Sequence, residues 1–304
     1  MSERVVLHPV EGGTVPRAFE AIVGIDLVAP ETSDGVAVAL ADAPILVTWH
    51  WRDDFLTPAL RWVQSVSVGV DQYPLERLVD AGVALTVPRG TNAGPVAEHT
   101  FGLVLSLTRG IARGVRHQTQ GAWRQGPVSE LEGKTLGVLG LGAVGEAIAR
   151  LGKAFGMRVV GTKRDPSSYD GSADAVLGSV REVCEDADVV VVALPGGAET
   201  EGLVGADELA AIGKGWLVNV GRGSVVDEAA LVEALTEGAL LGAGLDVFER
   251  EPLPAESPLW GLDNVVITPH QAGHTPRYGE RLAAAFLENL TAYRGAGEWR
   301  NRIV

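Results

Sequence analysis

Three closely spaced glycines are the first residues in this chain whose spacing implies chemistry. They lie in Gly140-Leu141-Gly142-Ala143-Val144-Gly145, behind the apolar run 136–139 and ahead of an amphipathic stretch over 146–155. A strand, a glycine turn and a helix in that order make a cradle for a dinucleotide pyrophosphate. The first glycine permits the tight turn, the second lets the backbone approach the phosphates, and the third lets helix and strand pack closely. The helix N-terminus then offers free N–H groups and a positive dipole end. Gly140, Gly142, Ala143, Val144 and Gly145 are therefore candidate cofactor ligands. The nearby Gly133-Lys134-Thr135 looks like the end of a nucleoside-triphosphate loop. Val128 stands where that loop needs its leading glycine, which speaks against nucleotide hydrolysis.

The strand after the turn ends at Val160-Gly161-Thr162 and runs into Lys163 and Arg164. Asp165 falls late for the acid that bonds the ribose hydroxyls in an NAD site. Two cations at this point attract a 2′-phosphate, and a guanidinium can hold it bidentately. Thr162, Lys163 and Arg164 join the cofactor set, with NADP expected as the preferred cofactor and NAD as the alternative.

Three later segments carry polar residues behind apolar runs. They are Val218-Asn219-Val220-Gly221-Arg222-Gly223-Ser224, Gly244-Leu245-Asp246-Val247-Phe248-Glu249-Arg250-Glu251-Pro252 and Val266-Ile267-Thr268-Pro269-His270-Gln271-Ala272-Gly273-His274. In this order, and with the glycine turn, they make the chain resemble the D-isomer-specific 2-hydroxyacid dehydrogenase family. The resemblance covers most of the sequence and is strongest over 134–276.

The resemblance implies three catalytic residues: Arg222, Glu251 and His270. Their types suit the reaction. Reduction of a 2-keto acid needs a hydride donor, a cation for the carboxylate and a proton donor for the developing alkoxide. Arg222 presents a planar, permanently charged fork. His270 gives the proton, or takes it in the reverse direction, and Glu251 orients it. The resemblance also implies cofactor contacts from Leu194, Pro195, Thr200, Val220, Asp246 and Gly273. Gly196-Gly197 replaces the polar residue usual in that loop. Ser67-Val68-Gly69-Val70-Asp71 resembles the family's substrate loop, so Val68 and Gly69 are expected to meet the carboxylate with their N–H groups. Trp62-Val63-Gln64-Ser65 looks like the glyoxylate/hydroxypyruvate reductase branch, while Trp49, His50 and Trp51 suit either a substrate pocket or packing.

These residues need a scaffold. Short apolar runs at 45–48, 62–66, 136–139, 158–161, 189–193 and 216–220 alternate with amphipathic stretches. Continuous apolar strands between helices indicate parallel sheets covered on both faces. The fold class is α/β, with two doubly wound domains. A Rossmann-type cofactor domain, 97–276, is inserted in a flavodoxin-like substrate domain, 1–96 plus 277–304. A long, mostly helical stretch is expected over 92–120, and a last helix over 276–293. The homodimer that the family commonly forms would use the long helix.

Bulk properties narrow the function further. A net charge of −14 repels phosphate backbones, so nucleic acid is not an expected partner. No apolar run reaches a membrane span, and the first residues read as a strand rather than a leader, so a cytoplasmic protein is expected. Cys184 is alone and reads as a buried small hydrophobe. His270 and His274 have helical metal-ligand spacing, but Gly273 and Pro276 argue against a helix, so no metal is expected. The expected substrate is a small 2-keto or 2-hydroxy acid of the glyoxylate/hydroxypyruvate type. Phosphoglycerate oxidation is an alternative, and Val304 leaves no room for the appended regulatory domain of many such enzymes. Formate dehydrogenase pairs its histidine with glutamine, which Glu251 opposes. A non-enzymatic dinucleotide sensor like the family's co-repressors is the reading from another class.

Overall fold

The computed structural model describes residues 2–8 and 14–304. The chain forms two compact units, Met1–Thr91 with Thr275–Val304, and Asn92–His274.

The first unit begins with β1 (Glu3–Leu7), α1 (Thr14–Glu20), β2 (Ile25–Val28), α2 (Ser33–Ala39) and β3 (Ile45–Thr48). It continues with β4 (Trp62–Ser65), α3 (Leu75–Asp80) and β5 (Ala84–Thr86). Among the described residues its strands form one parallel sheet in the order β2-β1-β3-β4-β5, the flavodoxin-like order. Period-two alternation sends Val5, Leu7, Ile45, Val47 and Trp62 to one face and Val6, Leu46 and Val63 to the other. Both faces are dry, which is why these strands read as unbroken apolar runs.

The second unit holds α4 (Ala93–Thr108), α5 (Ile111–Thr119), β6 (Thr135–Leu139), α6 (Ala143–Ala154), β7 (Arg158–Thr162) and β8 (Ala175–Val176). There follow α7 (Val180–Asp186), β9 (Val189–Val192), α8 (Ala206–Ile212), β10 (Trp216–Asn219), α9 (Glu228–Thr236), β11 (Gly242–Leu245) and β12 (Val265–Ile267). Its parallel sheet runs β12-β11-β10-β9-β6-β7-β8. Strand order reverses at β6, which makes the carboxyl ends of β6 and β9 the topological switch point where doubly wound sheets bind ligands. Cys184 is fully buried in α7, and burial pushes its thiol up to about 12.

The last helix, α10 (Tyr278–Tyr293), belongs to the first unit. Its Phe286 stacks on Trp62 with ring centroids 4.8 Å apart and leans on Phe19 at 5.0 Å. The chain's end pairs with β5. Ile303 N–H donates to the Leu85 carbonyl at 2.8 Å, and Leu85 N–H donates to the Val304 carbonyl at 3.3 Å. That pairing covers a strand edge that would otherwise expose its hydrogen-bonding groups.

Two expectations need correction. The long helical stretch expected over 92–120 is broken into two helices, because Gly110 takes φ +66 between α4 and α5. A left-handed residue ends an α-helix, and glycine adopts that conformation without a Cβ clash. The helix anticipated from residue 146 starts earlier. Gly142 is its N-cap, and Ala143, Val144 and Gly145 form its first turn, closed by the Glu146 N–H to the Gly142 carbonyl at 2.8 Å. Among the described residues no helix is long and apolar enough to cross a membrane.

Candidate functional site

Parallel strands deliver the loops after them to one edge of a sheet. In the second unit that edge carries the glycine turn after β6, Lys163 and Arg164 after β7, and the 194–200 loop after β9. It also carries Arg222 after β10, Asp246 to Glu251 after β11 and Thr268 to Gly273 after β12. The register aligns Leu139 with Thr162 on one side and with Val192 on the other, so these loops start level with one another.

Each glycine of the turn has its own physical reason. Gly140 holds φ +101, and a Cβ there would meet Leu194 Cδ2 at 2.9 Å. Its N–H donates to Thr162 Oγ1 at 3.1 Å, tying the turn to the end of β7. At Gly145 a Cβ would lie 2.0 Å from the Gly140 carbonyl oxygen, so only glycine lets α6 approach the turn. Among the described residues, a Cβ on Gly142, the N-cap, would meet nothing within 4 Å. None of them requires glycine there, and the open ground in front of the helix N-terminus fits a pyrophosphate.

After β7, Lys163 Nζ donates to the Leu141 carbonyl at 3.2 Å and lies 5.7 Å from the centroid of the Tyr169 ring. Arg164 is 89% exposed and pairs with the similarly exposed Glu199 at 3.4 Å. Asp165 caps the short turn 166–168, accepting from Ser167 N–H at 3.1 Å and Ser167 Oγ at 2.6 Å. In the loop after β9, Thr200 Oγ1 donates to the Pro195 carbonyl at 2.8 Å, which closes the loop. A Cβ on Gly196 would come within 3.2 Å of Arg222 Cγ, so the small residue there makes room for the arginine stem.

The catalytic trio implied by the resemblance lies within this unit. Arg222 follows a turn braced by Asn219, whose carboxamide accepts from the Gly221 N–H at 3.1 Å and donates to the Arg222 carbonyl at 3.0 Å. Its guanidinium uses Nη1 on the Gly221 carbonyl at 2.9 Å, which leaves most of its five donors for a ligand. His270 Nδ1 and Glu251 Oε2 are 2.6 Å apart. An ionised carboxylate only accepts, so Nδ1 carries the hydrogen and Nε2 is the nitrogen left for proton exchange. The other carboxylate oxygen accepts from the Phe248 N–H at 3.0 Å.

Asp246 anchors the histidine loop from below. It is 1% exposed and spends both oxygens on the histidine loop. Oδ1 accepts from Thr268 Oγ1 at 2.6 Å and Gln271 N–H at 3.0 Å, and Oδ2 accepts from Ala272 N–H at 2.8 Å. Thr268 Oγ1, having donated its hydrogen, accepts from His99 Nε2 at 2.9 Å. Gly273 is small because Asn92 Nδ2 would lie 2.9 Å from a Cβ. Val220 continues the β10 edge, its N–H on the Val192 carbonyl at 3.2 Å.

In the first unit, Val68 and Gly69 follow β4. Ser65 Oγ donates to the Ser67 carbonyl at 2.7 Å, and Ser67 Oγ donates to the Gly69 carbonyl at 3.1 Å. These bonds occupy the Ser67 and Gly69 carbonyls within the loop. Among the described residues no acceptor is found for the Val68 or Gly69 N–H. Trp51 packs edge-on against Phe55 and Tyr73, whereas Trp49 is half-exposed.

Sequence reading missed the supporting groups: His99 and Thr268 beneath Asp246, the Asn219 brace, and Glu146 on α6. Asn219 was findable, since an asparagine two residues before a glycine marks an Asx turn. The others join residues far apart in the chain. Among the described residues no cluster of three His, Cys, Asp or Glu side chains could hold a metal.

A switch-point dinucleotide cradle beside an arginine and a carboxylate-held histidine defines a nicotinamide-dependent oxidoreductase. Residues 101–272 match the family described as D-isomer specific 2-hydroxyacid dehydrogenase, NAD binding domain. Among relatives, the chain is 38% identical over 247 residues to glyoxylate reductase of Aeropyrum pernix, covering 78% of this chain and 74% of that protein. It is 37% identical over 271 residues to glyoxylate/hydroxypyruvate reductase B of Pectobacterium atrosepticum, covering 85% and 84%. The structure is similar to that of an NADPH-dependent glyoxylate/hydroxypyruvate reductase from Sinorhizobium meliloti in complex with NADP and malonate. That match has a TM-score of 0.77 and 32% identity, over 100% of this chain and 97% of that one. The chain belongs to the D-isomer-specific 2-hydroxyacid dehydrogenase family.

Proposed function

We propose that the protein reduces small 2-keto acids of the glyoxylate and hydroxypyruvate type to D-2-hydroxy acids, with NADPH preferred and NADH as the alternative. The observation that carries the reading is the 2.6 Å pair of His270 Nδ1 and Glu251 Oε2. It commits one ring nitrogen and leaves Nε2 as the proton donor, on the edge that also holds Arg222 and the glycine turn.

When bound, the dihydronicotinamide supplies the hydride that C2 of the keto acid accepts. Gly140, Gly142, Ala143, Val144 and Gly145 would hold the pyrophosphate, with Thr162, Lys163 and Arg164 at the adenosine ribose. Leu194, Pro195, Thr200, Val220, Asp246 and Gly273 belong to the loops proposed to line the rest of the cofactor. Arg222 binds the substrate carboxylate through its planar fork. In the first unit, the Val68 and Gly69 N–H groups are proposed donors to a carboxylate. His270 gives its Nε2 proton to the substrate oxygen as charge develops there, and Glu251 compensates the positive ring while it holds that proton. NADP preference is supported by the two cations after β7 and by the NADPH-dependent relative.

The test is to mix protein with NADPH or NADH and glyoxylate, hydroxypyruvate or 3-phosphohydroxypyruvate, and to follow loss of reduced-nicotinamide absorbance. Turnover of the first two with NADPH is expected. No turnover across the panel, with NADPH still bound, would favour a dinucleotide sensor. The reading places the protein with the cytoplasmic NADPH pool and in a homodimer. Support for the dimer comes from Ile111, Val115, Trp123 and Val128, all exposed on α5 and the segment after it, Trp123 to 96%. Light scattering should return twice the chain mass, and Trp123→Ser should shift the population toward the monomer.

A further inference from the structure

We infer that Glu146 is a positioning residue for the adenosine end of the dinucleotide: it clasps the loop after β7 and thereby sets Lys163 to select the 2′-phosphate of NADP. The inference rests on the NADP reading above and names the device behind it.

Glu146 lies in the first turn of α6, the end that faces the pyrophosphate. A free carboxylate there would compete with phosphate for the positive helix end. The structure turns it aside. Oε2 accepts from the Tyr169 hydroxyl at 2.8 Å, and Oε1 accepts from Ser172 N–H at 2.9 Å and Ser172 Oγ at 2.5 Å. Burial alone would raise its pKa, but the Ser172 and Tyr169 hydrogen bonds outweigh it and hold the carboxyl below its usual value. It therefore stays an acceptor across the working pH range. The Tyr169 hydroxyl also accepts from the Ala173 N–H at 2.7 Å. Gly171 gives independent support. A Cβ there would lie 2.2 Å from Glu146 Oε2 and 2.6 Å from the Tyr169 hydroxyl, so the loop needs glycine for the clasp to close.

The clasp fixes the Tyr169 ring, and the ring face lies under Lys163 Nζ at 5.7 Å. Lys163 spends one hydrogen on the Leu141 carbonyl inside the glycine turn. An ammonium has three, so donors remain for a phosphate. Lys163 is thus held at the turn before any ligand arrives, while Arg164 projects into solvent beside an exposed Glu199. Pre-ordering one long side chain removes the entropy that binding would otherwise cost, which is worth about tenfold in affinity.

Intrinsic tryptophan fluorescence, titrated with NADPH and separately with NADH, reads the two affinities without any keto acid. Wild type should bind NADPH more tightly, and Lys163→Ala should erase that preference. Glu146→Ala should lower the NADPH-to-NADH affinity ratio by about tenfold and Tyr169→Phe by about threefold. Glu146→Gln, which keeps an acceptor of the same length, should recover most of the ratio. A purely structural role would lower thermal stability and leave the ratio unmoved. If Lys163→Ala erases the preference while Glu146→Ala and Tyr169→Phe keep the ratio within about twofold, the clasp is refuted and the NADP reading stands. A wild-type protein without NADPH preference overturns both. Should Glu146→Ala fail to fold, Tyr169→Phe removes a single hydroxyl and decides alone.

Discussion

His270 holds φ +49, a left-handed backbone that few non-glycine residues adopt. That conformation costs an L-residue about 1–2 kcal/mol. It is held by the His270 N–H, which donates to the Asp246 carbonyl at 2.8 Å and the Thr268 carbonyl at 3.1 Å. The Asp246 carboxylate grips the next two residues. His270, the proposed proton donor, is therefore a strained residue on a buried anchor, and the two roles can be separated. His270→Gln removes the proton but not the cradle. Reduction should fall by roughly 10²–10⁴-fold while NADPH still quenches tryptophan fluorescence; retained turnover would refute the acid role. Arg222→Lys keeps a charge and loses the fork, so the keto-acid KM should rise more than kcat falls. Asp246→Ala strands Thr268 Oγ1 and two N–H groups in a dry site. Denaturant unfolding should show a loss of about 3 kcal/mol or more, and kcat should fall with it. An unchanged midpoint would show that the loop does not depend on Asp246.

At the scale of the element, the strand–turn–helix over β6 and α6 shows how three glycines divide the work. Gly145 faces the Gly140 carbonyl oxygen at 2.0 Å from its would-be Cβ, while Gly142 faces open ground. Gly145→Ala should push α6 off the turn, lowering both thermal stability and dinucleotide affinity. Gly142→Ala should leave the melting temperature nearly unchanged and weaken dinucleotide binding alone. Equal melting temperatures for the two variants would contradict this division. The motif itself was legible, because a glycine turn between a strand and a helix is a short-range pattern. The start of α6 was not, since the apolar periodicity read from the sequence begins only after the first turn, Ala143 to Gly145. The break at Gly110 was missed for a related reason. Amphipathic periodicity continues through α5, and only the backbone shows that the glycine takes φ +66.

The whole molecule is two doubly wound units, each dry on both sheet faces. Its titratable groups set how it meets acid. His8 is 4% exposed. Thr48 Oγ1 donates to the His50 carbonyl, so it accepts from His8 Nδ1, and His8 Nε2 accepts from Ser33. The neutral ring satisfies this network. Burial, then the charges of His50 and Arg52, lower the His8 pKa from its ordinary 6.5. As pH falls through 6.5, the unfolded chain takes up a proton that the folded chain refuses, so stability drops. Glu3, Glu146, Asp174 and Asp188 are shifted down from 4.5 or 3.8. Their contribution is present above those values and is lost at lower pH. Melting temperatures should therefore decline in two stages, the first starting near 6.5. His8→Gln should flatten the first stage; an unaltered slope would assign it to another group.

By itself the sequence determined the class of scaffold and named the candidate chemistry-bearing residues. Unbroken apolar runs require sheets covered on both faces, the glycine turn predicts a ligand at a helix start, and Arg222, Glu251 and His270 stand in family order. These are short-range or order-based signals. Only the tertiary structure decided which atoms meet. Glu251 reaches His270 across 19 residues, Asp246 reaches Ala272 across 26, and Glu146 reaches Ser172 across 26. The loops that carry Glu251 and His270 follow adjacent parallel strands whose register brings their ends level, and no local pattern encodes that register. Side-chain geometry then fixes what composition cannot: which histidine nitrogen keeps its proton, and which way a helix-end carboxylate turns.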